Sequence, residues 1–149
     1  MTAQELWEIF VRKQNITETE YEAWAFGGNP DKLAELVLQG IKVGTASAYP
    51  LYELEKEPIP KAGEYSVILN SKEEAVCVIQ TTKVYVVPFC EIGAEHAFKE
   101  GEGDKSLAYW RMVHEEFFRE CMEEAGLTFD ENMKVVCEEF KLVYKPEKE

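Results

Sequence analysis

The residues best suited to chemistry form one short cluster, GIKVGTASAY, from Gly40 to Tyr49. Lys42 precedes a predicted strand, and Thr45 follows it by three residues. A lysine that is removed from water beside a hydroxyl can lose its proton and act as a general base, whereas a charged lysine can anchor a carbonyl or phosphate. Two glycines, Gly40 and Gly44, would let a ligand approach the backbone. The plainer interpretation is a helix end followed by a surface lysine and an edge-strand threonine.

A predicted helix that begins after Ser106 carries further candidates. Its apolar residues recur at helical spacing and are Leu107, Trp110, Val113, Phe117, Cys121 and Ala125. His114 flanks this stripe, where a lone histidine is more often a satisfied core or cleft-wall residue than a ligand contact. Trp110 is interpreted either as core or as a platform for stacking a base. Arg111 is offset from the stripe and either contacts a ligand or pairs with Glu115 four residues on.

Composition limits the class of partner. The 149 residues fit one compact domain, with 16 basic against 29 acidic residues and a net charge of -13. A protein that wraps a nucleic acid usually carries a basic face, because counterion release supplies much of the affinity. A DNA duplex is therefore not expected as a partner. A small nucleoside carries no charge, and the acidic surface does not oppose its binding.

No metal or cofactor motif is visible. The four cysteines, Cys77, Cys90, Cys121 and Cys137, are far apart, and two histidines are too few to favour a zinc cage. The phosphate-loop, dinucleotide and zinc-protease motifs are also missing. There is no secretory signal and no apolar run long enough to cross a bilayer. We therefore expect reduced thiols, a cytoplasmic protein, and no membrane partner.

The elements that must position these residues are helices followed mainly by strands. Three helices are predicted at residues 2–14, 17–28 and 29–40, a helical turn at 50–56, and a long helix at 106–126. Extended segments are predicted at residues 43–49, 65–69, 75–87 and 133–144, the middle two as a hairpin. Residues 89–105 are predicted to be irregular and residues 145–149 disordered. This pattern predicts an α+β fold with a mainly antiparallel sheet, in a small, partly open barrel.

The cluster resembles the signature of a known family. Gly40-x-Lys42-x-x-Thr45 matches the GxKxxT pattern of ASCH domains, which are relatives of the PUA RNA-binding fold. A second block, EGEGD at residues 100–104 followed by YWRxxHxxFF at residues 109–118, is also similar to the family. The resemblance implies a PUA-like barrel flanked by helices, over residues 29–149. Residues 1–28 then form an N-terminal helical extension.

The resemblance also implies an activity. The family was proposed to bind RNA, and one branch hydrolyses the amide of N-acetylated cytidine with a lysine, a threonine and a glutamate. Lys42 and Thr45 match that branch, and Glu102 is the chosen glutamate, with Glu100 as the alternative. In this mechanism Thr45 attacks the acyl carbonyl and Lys42 takes its proton. Glu102 orients Lys42 or passes a proton to the leaving amine.

A ligand in the implied cleft between barrel and helices would meet several further residues. These contacts are Gly40, Gly44, Ser47, Tyr49, Trp110, Arg111 and His114. Two other functions fit the resemblance. One is a non-catalytic module that binds RNA or a modified nucleotide, and the other is a ribonuclease.

Overall fold

The structure, a computed structural model, describes residues 1–18 and 20–146. Residue 19, in the second predicted helix, and residues 147–149, in the predicted disordered end, lie outside them. The described α-helices are α1 (Ala3–Lys13), α2 (Pro30–Leu38), α3 (Tyr49–Glu55), α4 (Ala94–Glu100) and α5 (Leu107–Glu124). The described strands are β1 (Glu22–Ala25), β2 (Gly44–Ala48), β3 (Tyr65–Leu69), β4 (Ala75–Pro88) and β5 (Lys134–Tyr144). None of the described helices is long and apolar enough to span a membrane.

All five strands belong to one sheet with the order β1-β3-β4-β5-β2. The β1–β3 pair is parallel, and the other three pairs are antiparallel. Register shifts near Ile79 and Thr81 interrupt the long β4–β5 ladder, and such irregularities bend a sheet. The result is a half-barrel that leaves β1 and β2 as its two end strands. The predicted α+β class and the partly open, mainly antiparallel barrel are confirmed.

Local signals fix the helices on either side of the candidate site. Asn29 accepts a hydrogen bond from the Lys32 N–H and begins α2, with Pro30 at its first position. Ser106 accepts from the Tyr109 N–H in the same way and begins α5. Because these signals lie within a few residues of each helix start, the sequence predicts both helices correctly.

Two predicted segments are wrong. Residues 17–28 were expected to be helical, but Glu22–Ala25 form β1 and pair with β3. Pairing with a distant strand here outweighs a local capping pattern, a common outcome for short segments. Residues 89–105 were expected to be irregular, but they contain a 3-10 turn at Phe89–Glu91 and the helix α4. Gly93 precedes α4 and offers no side-chain cap, so no start signal marks this helix.

Helix α5 buries a stripe that shares Trp110 with the predicted one and otherwise runs through its flank, which was predicted at His114 and Phe118. The buried side chains repeat every four residues and are Trp110, His114, Phe118 and Met122. Three members of the predicted stripe instead line the clefts described below, namely Val113, Phe117 and Cys121. A cleft wall takes apolar side chains as a core does, so hydrophobic spacing alone could not separate the two faces.

The N-terminal segment packs directly on the sheet. Leu6 and Phe10 of α1 form a buried cluster with Val67 of β3 and Val78 of β4. A boundary between an extension and the domain at residue 28 stays a prediction. β1 precedes that boundary and belongs to the sheet.

Candidate functional site

Lys42 lies at the centre of the candidate site. It stands in the short link between α2 and β2, and only 1% of it is exposed. Its Nζ lies 3.2 Å from Glu100 Oε1 and 3.0 Å from Glu102 Oε2. A buried ammonium needs such partners, because an unpaired charge in the interior costs several kcal/mol. The resemblance implied that Lys42 and Glu102 meet, and they are in direct contact.

Glu100 is the residue that holds the site together. Its Oε1 contacts Lys42 Nζ and lies 3.4 Å from His114 Nε2. Its Oε2 contacts His96 Nε2 at 2.7 Å and Trp110 Nε1 at 2.6 Å. Burial alone would raise the pKa of Glu100, but the Lys42 ammonium and hydrogen bonds from the two histidines hold this pKa well below its usual range. Glu100 is therefore an ionised carboxylate with both oxygens engaged.

The contacts of His114 define its charge. Its Nδ1 lies 2.9 Å from the Trp110 carbonyl oxygen, which can only accept, so Nδ1 carries a proton. Its Nε2 lies 3.4 Å from Glu100 Oε1, an ion-pair distance when the ring is protonated. Burial lowers the pKa of His114, but Glu100 raises it more, and the net pKa lies above the ordinary value. When His114 is protonated, its charge and that of Lys42 together offset the charges of Glu100 and Glu102.

His96 is a site residue that the sequence analysis missed. Its Nε2–H donates to Glu100 Oε2, four residues along α4. Its Nδ1 is buried and has no hydrogen-bond partner among the described residues. The available signal was the spacing of His96 and Glu100, which places both side chains on one helix face if the segment is helical. Because no helix was predicted for this segment, the spacing of four residues did not indicate that His96 and Glu100 are neighbours.

A tight turn after α4 brings Glu102 to Lys42. Gly101 ends the helix with a φ of +71°, and a Cβ at this position would lie 2.6 Å from the Ile41 carbonyl oxygen. Only glycine fits this turn without a shift of the backbone. The side chain of Glu102 is 16% exposed, against 1% for that of Glu100. Both carboxylates reach Lys42, and Glu102 is the one with access to solvent.

A narrow cleft of about 450 Å³ opens above this cluster. Thr45, at the start of β2, lines it together with Lys42, Glu102 and His114. Aromatic and apolar walls come from Phe26, Tyr109, Val113 and Phe117. The Lys42 Nζ also lies 5.1 Å from the centre of the Phe26 ring, a cation–π distance. A ligand in this cleft would meet a hydroxyl, an ammonium and a carboxylate.

A wider cleft of about 1220 Å³ continues from the narrow one. The residues common to both are Phe26, Gly27, Thr45, Ala46 and Phe117. Ser47 lines the wider cleft, and its Oγ lies 2.7 Å from the Tyr52 hydroxyl. Thr81 Oγ1 donates to Glu138 Oε1 at 3.3 Å in the same cleft. Burial raises the pKa of Glu138 to about 7.

Gly40 and Gly44 act through the backbone. The Gly40 N–H donates to the Val37 carbonyl, and the chain turns there into the link that carries Lys42. A Cβ on Gly44 would lie 3.3 Å from the Glu138 carbonyl oxygen, so a small residue suits the close approach of β2 and β5. Neither residue lines the two clefts.

Three predicted ligand contacts also lie away from both clefts. Trp110 is 2% exposed and packs in the core beneath the site. Tyr49 begins α3, and its ring lies 5.6 Å from Lys134 Nζ. Arg111 donates from Nη2 to the carbonyl oxygens of Cys90 and Ile92, at 3.0 and 3.2 Å. Its contacts join α5 to the segment after β4.

The predicted partner of Arg111 is engaged elsewhere. Glu115 lies 3.8 Å from Arg119, four residues along α5. Arg111 was expected to contact either a ligand or Glu115, and in the structure its guanidinium binds main-chain carbonyls instead.

Three side chains of the site could also hold a metal ion. Ligand atoms of Glu100, Glu102 and His114 lie within 4.8 Å of one another. The Lys42 Nζ contacts both carboxylates. A divalent cation would have to displace the ammonium before it could bind there.

Comparisons with known proteins agree with this fold. The profile of the ASCH domain matches residues 22–144. The ASCH domain from Lactobacillus crispatus JV V101 shares 32% identity over 95% of this chain and 93% of its own, with a TM-score of 0.88. Protein EF3133 from Enterococcus faecalis V583 shares 32% identity over 94% of this chain and 86% of its own, with a TM-score of 0.87.

A more distant structure supports the fold alone. The hypothetical protein PH0355 has 18% identity and a TM-score of 0.55, over 84% of this chain and 100% of its own. No curated protein matches the chain. The half-barrel with its flanking helices is PUA-like. The chain belongs to the ASCH domain family, as the resemblance in sequence predicted.

Proposed function

We propose that this ASCH domain is an amidohydrolase that acts on an acylated nucleoside, with N-acetylated cytidine as the substrate to test. One observation carries the proposal. The buried ammonium of Lys42 contacts two carboxylates at the cleft that Thr45 also lines. The hydroxyl is a nucleophile, and transfer of a proton from the ammonium to the partly exposed carboxylate would leave an amine as general base and a carboxylic acid as general acid, the groups that nucleophilic amide hydrolysis requires.

The first half of the reaction begins when the Lys42 ammonium passes a proton to Glu102, which leaves Lys42 as an amine and Glu102 as a carboxylic acid. Lys42, now an amine, takes the Thr45 hydroxyl proton as Oγ1 bonds to the acyl carbon. The regenerated ammonium and the imidazolium of His114 offset the negative charge on the carbonyl oxygen. Glu102 gives its proton to the cytosine amino nitrogen as the C–N bond breaks. The acyl group is then an ester on Thr45.

Water completes the second half. It attacks the ester carbon and loses a proton to the Lys42–Glu102 pair, which returns a proton to Thr45 Oγ1 as the C–O bond breaks. The products are the free nucleoside and the carboxylic acid, and the enzyme regains its starting protonation state. Glu102 serves as the proton carrier because it is partly exposed, whereas four donors engage Glu100.

The narrow cleft suits a small neutral substrate. Its volume of about 450 Å³ is in the usual range for small-molecule sites. The rings of Phe26, Tyr109 and Phe117 offer faces on which a base can stack. Glu116 and Glu120 stand at the same cleft and outnumber its one exposed lysine, Lys32, so the charge there opposes a phosphate. These features favour a nucleoside over a polynucleotide.

A non-catalytic binding module is the second candidate. The ion pairs of Lys42 favour it, because an ammonium held by two carboxylates can anchor a ligand carbonyl without losing a proton. The two candidates differ at Thr45. Hydrolysis needs its hydroxyl as a nucleophile, whereas binding needs only the shape of the side chain.

The deciding experiment compares cytidine release by the wild type, Thr45→Val and Thr45→Ser. Valine keeps the shape and removes the hydroxyl, so we expect release to fall by about a thousand-fold or more. Serine keeps the nucleophile, so measurable release should remain. Thr128→Val, at an exposed position outside both clefts, should match the wild type.

Two results would contradict the hydrolase. One is unchanged release by Thr45→Val. The other is no release by the wild type at high enzyme concentration. If the wild type and Thr45→Val both bind the nucleoside without turnover, the binding module is the correct function.

A further inference from the structure

The wider cleft is the seam of the open barrel. The sheet ends at β1 on one side and at β2 on the other. Consecutive residues of both end strands line the cleft, residues 20–27 on one wall and residues 45–48 on the other. Consecutive lining means that the main chain itself, and not only alternate side chains, faces the space.

The outer edge of β2 is open. β2 pairs with β5 through residues 44–48, and alternate residues of a strand direct their N–H and C=O groups to the other side. Ala48 caps α3, whose first turn takes its carbonyl, but within the described part of the chain no backbone bond other than those to β5 is recorded for residues 45–47. Unpaired strand edges are templates for an added strand.

The strand directions define how a strand could enter. β3, β4, β5 and β2 alternate in direction, and β1 runs parallel to β3. β1 and β2 therefore run in opposite directions across the seam. A segment that pairs antiparallel with β2 would therefore run parallel to β1.

The acidic residues that line the seam favour a positively charged ligand. Among its lining residues the basic side chain is Lys61, against six glutamates besides the buried Glu138, whose pKa is raised: Glu18, Glu20, Glu22, Glu55, Glu57 and Glu64. Half-buried aromatic rings stand between them, contributed by Tyr21, Trp24, Tyr52 and Tyr65. Acidic and aromatic side chains along one groove complement a cationic partner and oppose a phosphate backbone.

We propose that the seam binds an extended peptide segment rich in lysine or arginine, which adds a strand beside β2. Main-chain hydrogen bonds to the β2 edge supply the affinity, and the glutamates select the charge of the segment. This binding uses neither Lys42 nor Glu102, so it does not depend on the hydrolase proposed above. The added strand passes Thr45, where the two clefts meet.

The test uses fluorescence anisotropy with labelled octapeptides of alternating sequence. We expect (Lys-Val)₄ to bind at least about ten-fold more tightly than (Ser-Val)₄, and (Glu-Val)₄ to show no binding. N-methylation of alternate amides, in the phase that faces β2, should weaken (Lys-Val)₄ by a further factor of about ten. Equal binding of both methylated phases and the unmodified peptide would refute strand addition.

Variants locate the binding on the protein. Glu22→Lys/Glu55→Lys reverses two exposed charges of the seam, and Glu115→Lys/Glu131→Lys makes the same charge change outside it. We expect the first pair to weaken (Lys-Val)₄ at least about ten-fold and the second pair less than about three-fold. Equal effects of both pairs would overturn the proposal. Tighter binding of octauridylate RNA that competes with the peptide would overturn it too.

Discussion

Trp110 of α5 donates its indole N–H to Glu100 Oε2 at 2.6 Å, and both side chains are almost completely buried. The sequence suggested Trp110 as core or as a stacking platform. In the structure its polar atom stabilises a buried anion, and its ring stacks on His114 at a centroid distance of 4.1 Å. Trp110 therefore positions two groups of the candidate site without lining the cleft.

Trp110→Phe should lower the free energy of unfolding by about 2–3 kcal/mol, because a buried carboxylate loses a hydrogen bond. Denaturant unfolding would measure the loss. Trp24→Phe is the control, since Trp24 is half-buried and packs edge-on against the Phe26 ring without a buried carboxylate partner among the described hydrogen bonds. Equal losses for the two variants would mean that the bond to Glu100 contributes nothing specific.

Lys42→Met should lower the free energy of unfolding by about 3–5 kcal/mol, because it leaves Glu100 buried without its cation. Glu102→Gln should cost less, since the Glu102 side chain is 16% exposed and retains solvent contact. The double variant Lys42→Met/Glu102→Gln should lose less stability than the sum of the losses of the two single variants, because each single change already breaks the ion pair between Lys42 and Glu102. Strictly additive losses would contradict the coupling. Lys42→Arg is a poor probe here, since a guanidinium does not fit a site that is 1% exposed.

Gly101→Ala should displace Glu102 from Lys42. The added Cβ would lie 2.6 Å from the Ile41 carbonyl, whereas at Gly126, which has a similar φ, it would meet nothing within 4 Å. We expect about 1 kcal/mol of destabilisation for Gly126→Ala and at least about 2 kcal/mol more for Gly101→Ala. Unfolding experiments on both variants measure the difference. Equal destabilisation would mean that the turn tolerates a side chain.

Glu138 should make stability depend on pH. Burial raises its pKa from 4.5 to about 7, although Thr81 donates a hydrogen bond that lowers it, and Glu22 and Glu64 nearby raise it further. The folded state then keeps a proton that the unfolded chain has released, so stability falls as the pH rises from 4.5 to about 7 and then stays level. Glu138→Gln should remove this fall and stabilise the protein at pH 8 by about 3 kcal/mol.

Urea unfolding of the wild type and Glu138→Gln between pH 5 and pH 8 measures this linkage. The difference between the two proteins isolates Glu138 from His114, whose own raised pKa also makes stability fall as the pH rises. Parallel stability curves for the two proteins would show that Glu138 is ionised throughout this range.

The parts of the fold that the sequence predicts are those with local signals. Asn29 with Pro30, and Ser106, mark α2 and α5, and alternation marks the β3–β4 hairpin. β1 has four residues and is ordered by pairing with β3, about forty residues away in the chain, which no local pattern encodes. α4 lacks a side-chain cap and stayed unpredicted for the same reason.

The residues of the candidate site also fall into those that local sequence signals predict and those that depend on the tertiary structure. The signature residues Lys42 and Thr45 were predicted from spacing and resemblance, and Glu102 from its place in the second block; all three line the smaller cleft. His96 was missed because its role depends on a helix that was not predicted. Arg111 and Tyr49 lie near the expected elements, but the rotation of each element directs their side chains to other partners.

The separation of Lys42 and Glu100 in the chain, 58 residues, has a consequence for folding kinetics. Neither charge gains by leaving water before the other arrives, and the intervening segment includes most of the sheet. The cluster should therefore assemble after the rate-limiting step. Substitutions at Lys42 or Glu100 should accelerate unfolding and leave the refolding rate nearly unchanged, so the ion pair prolongs the life of the folded molecule without helping it to form.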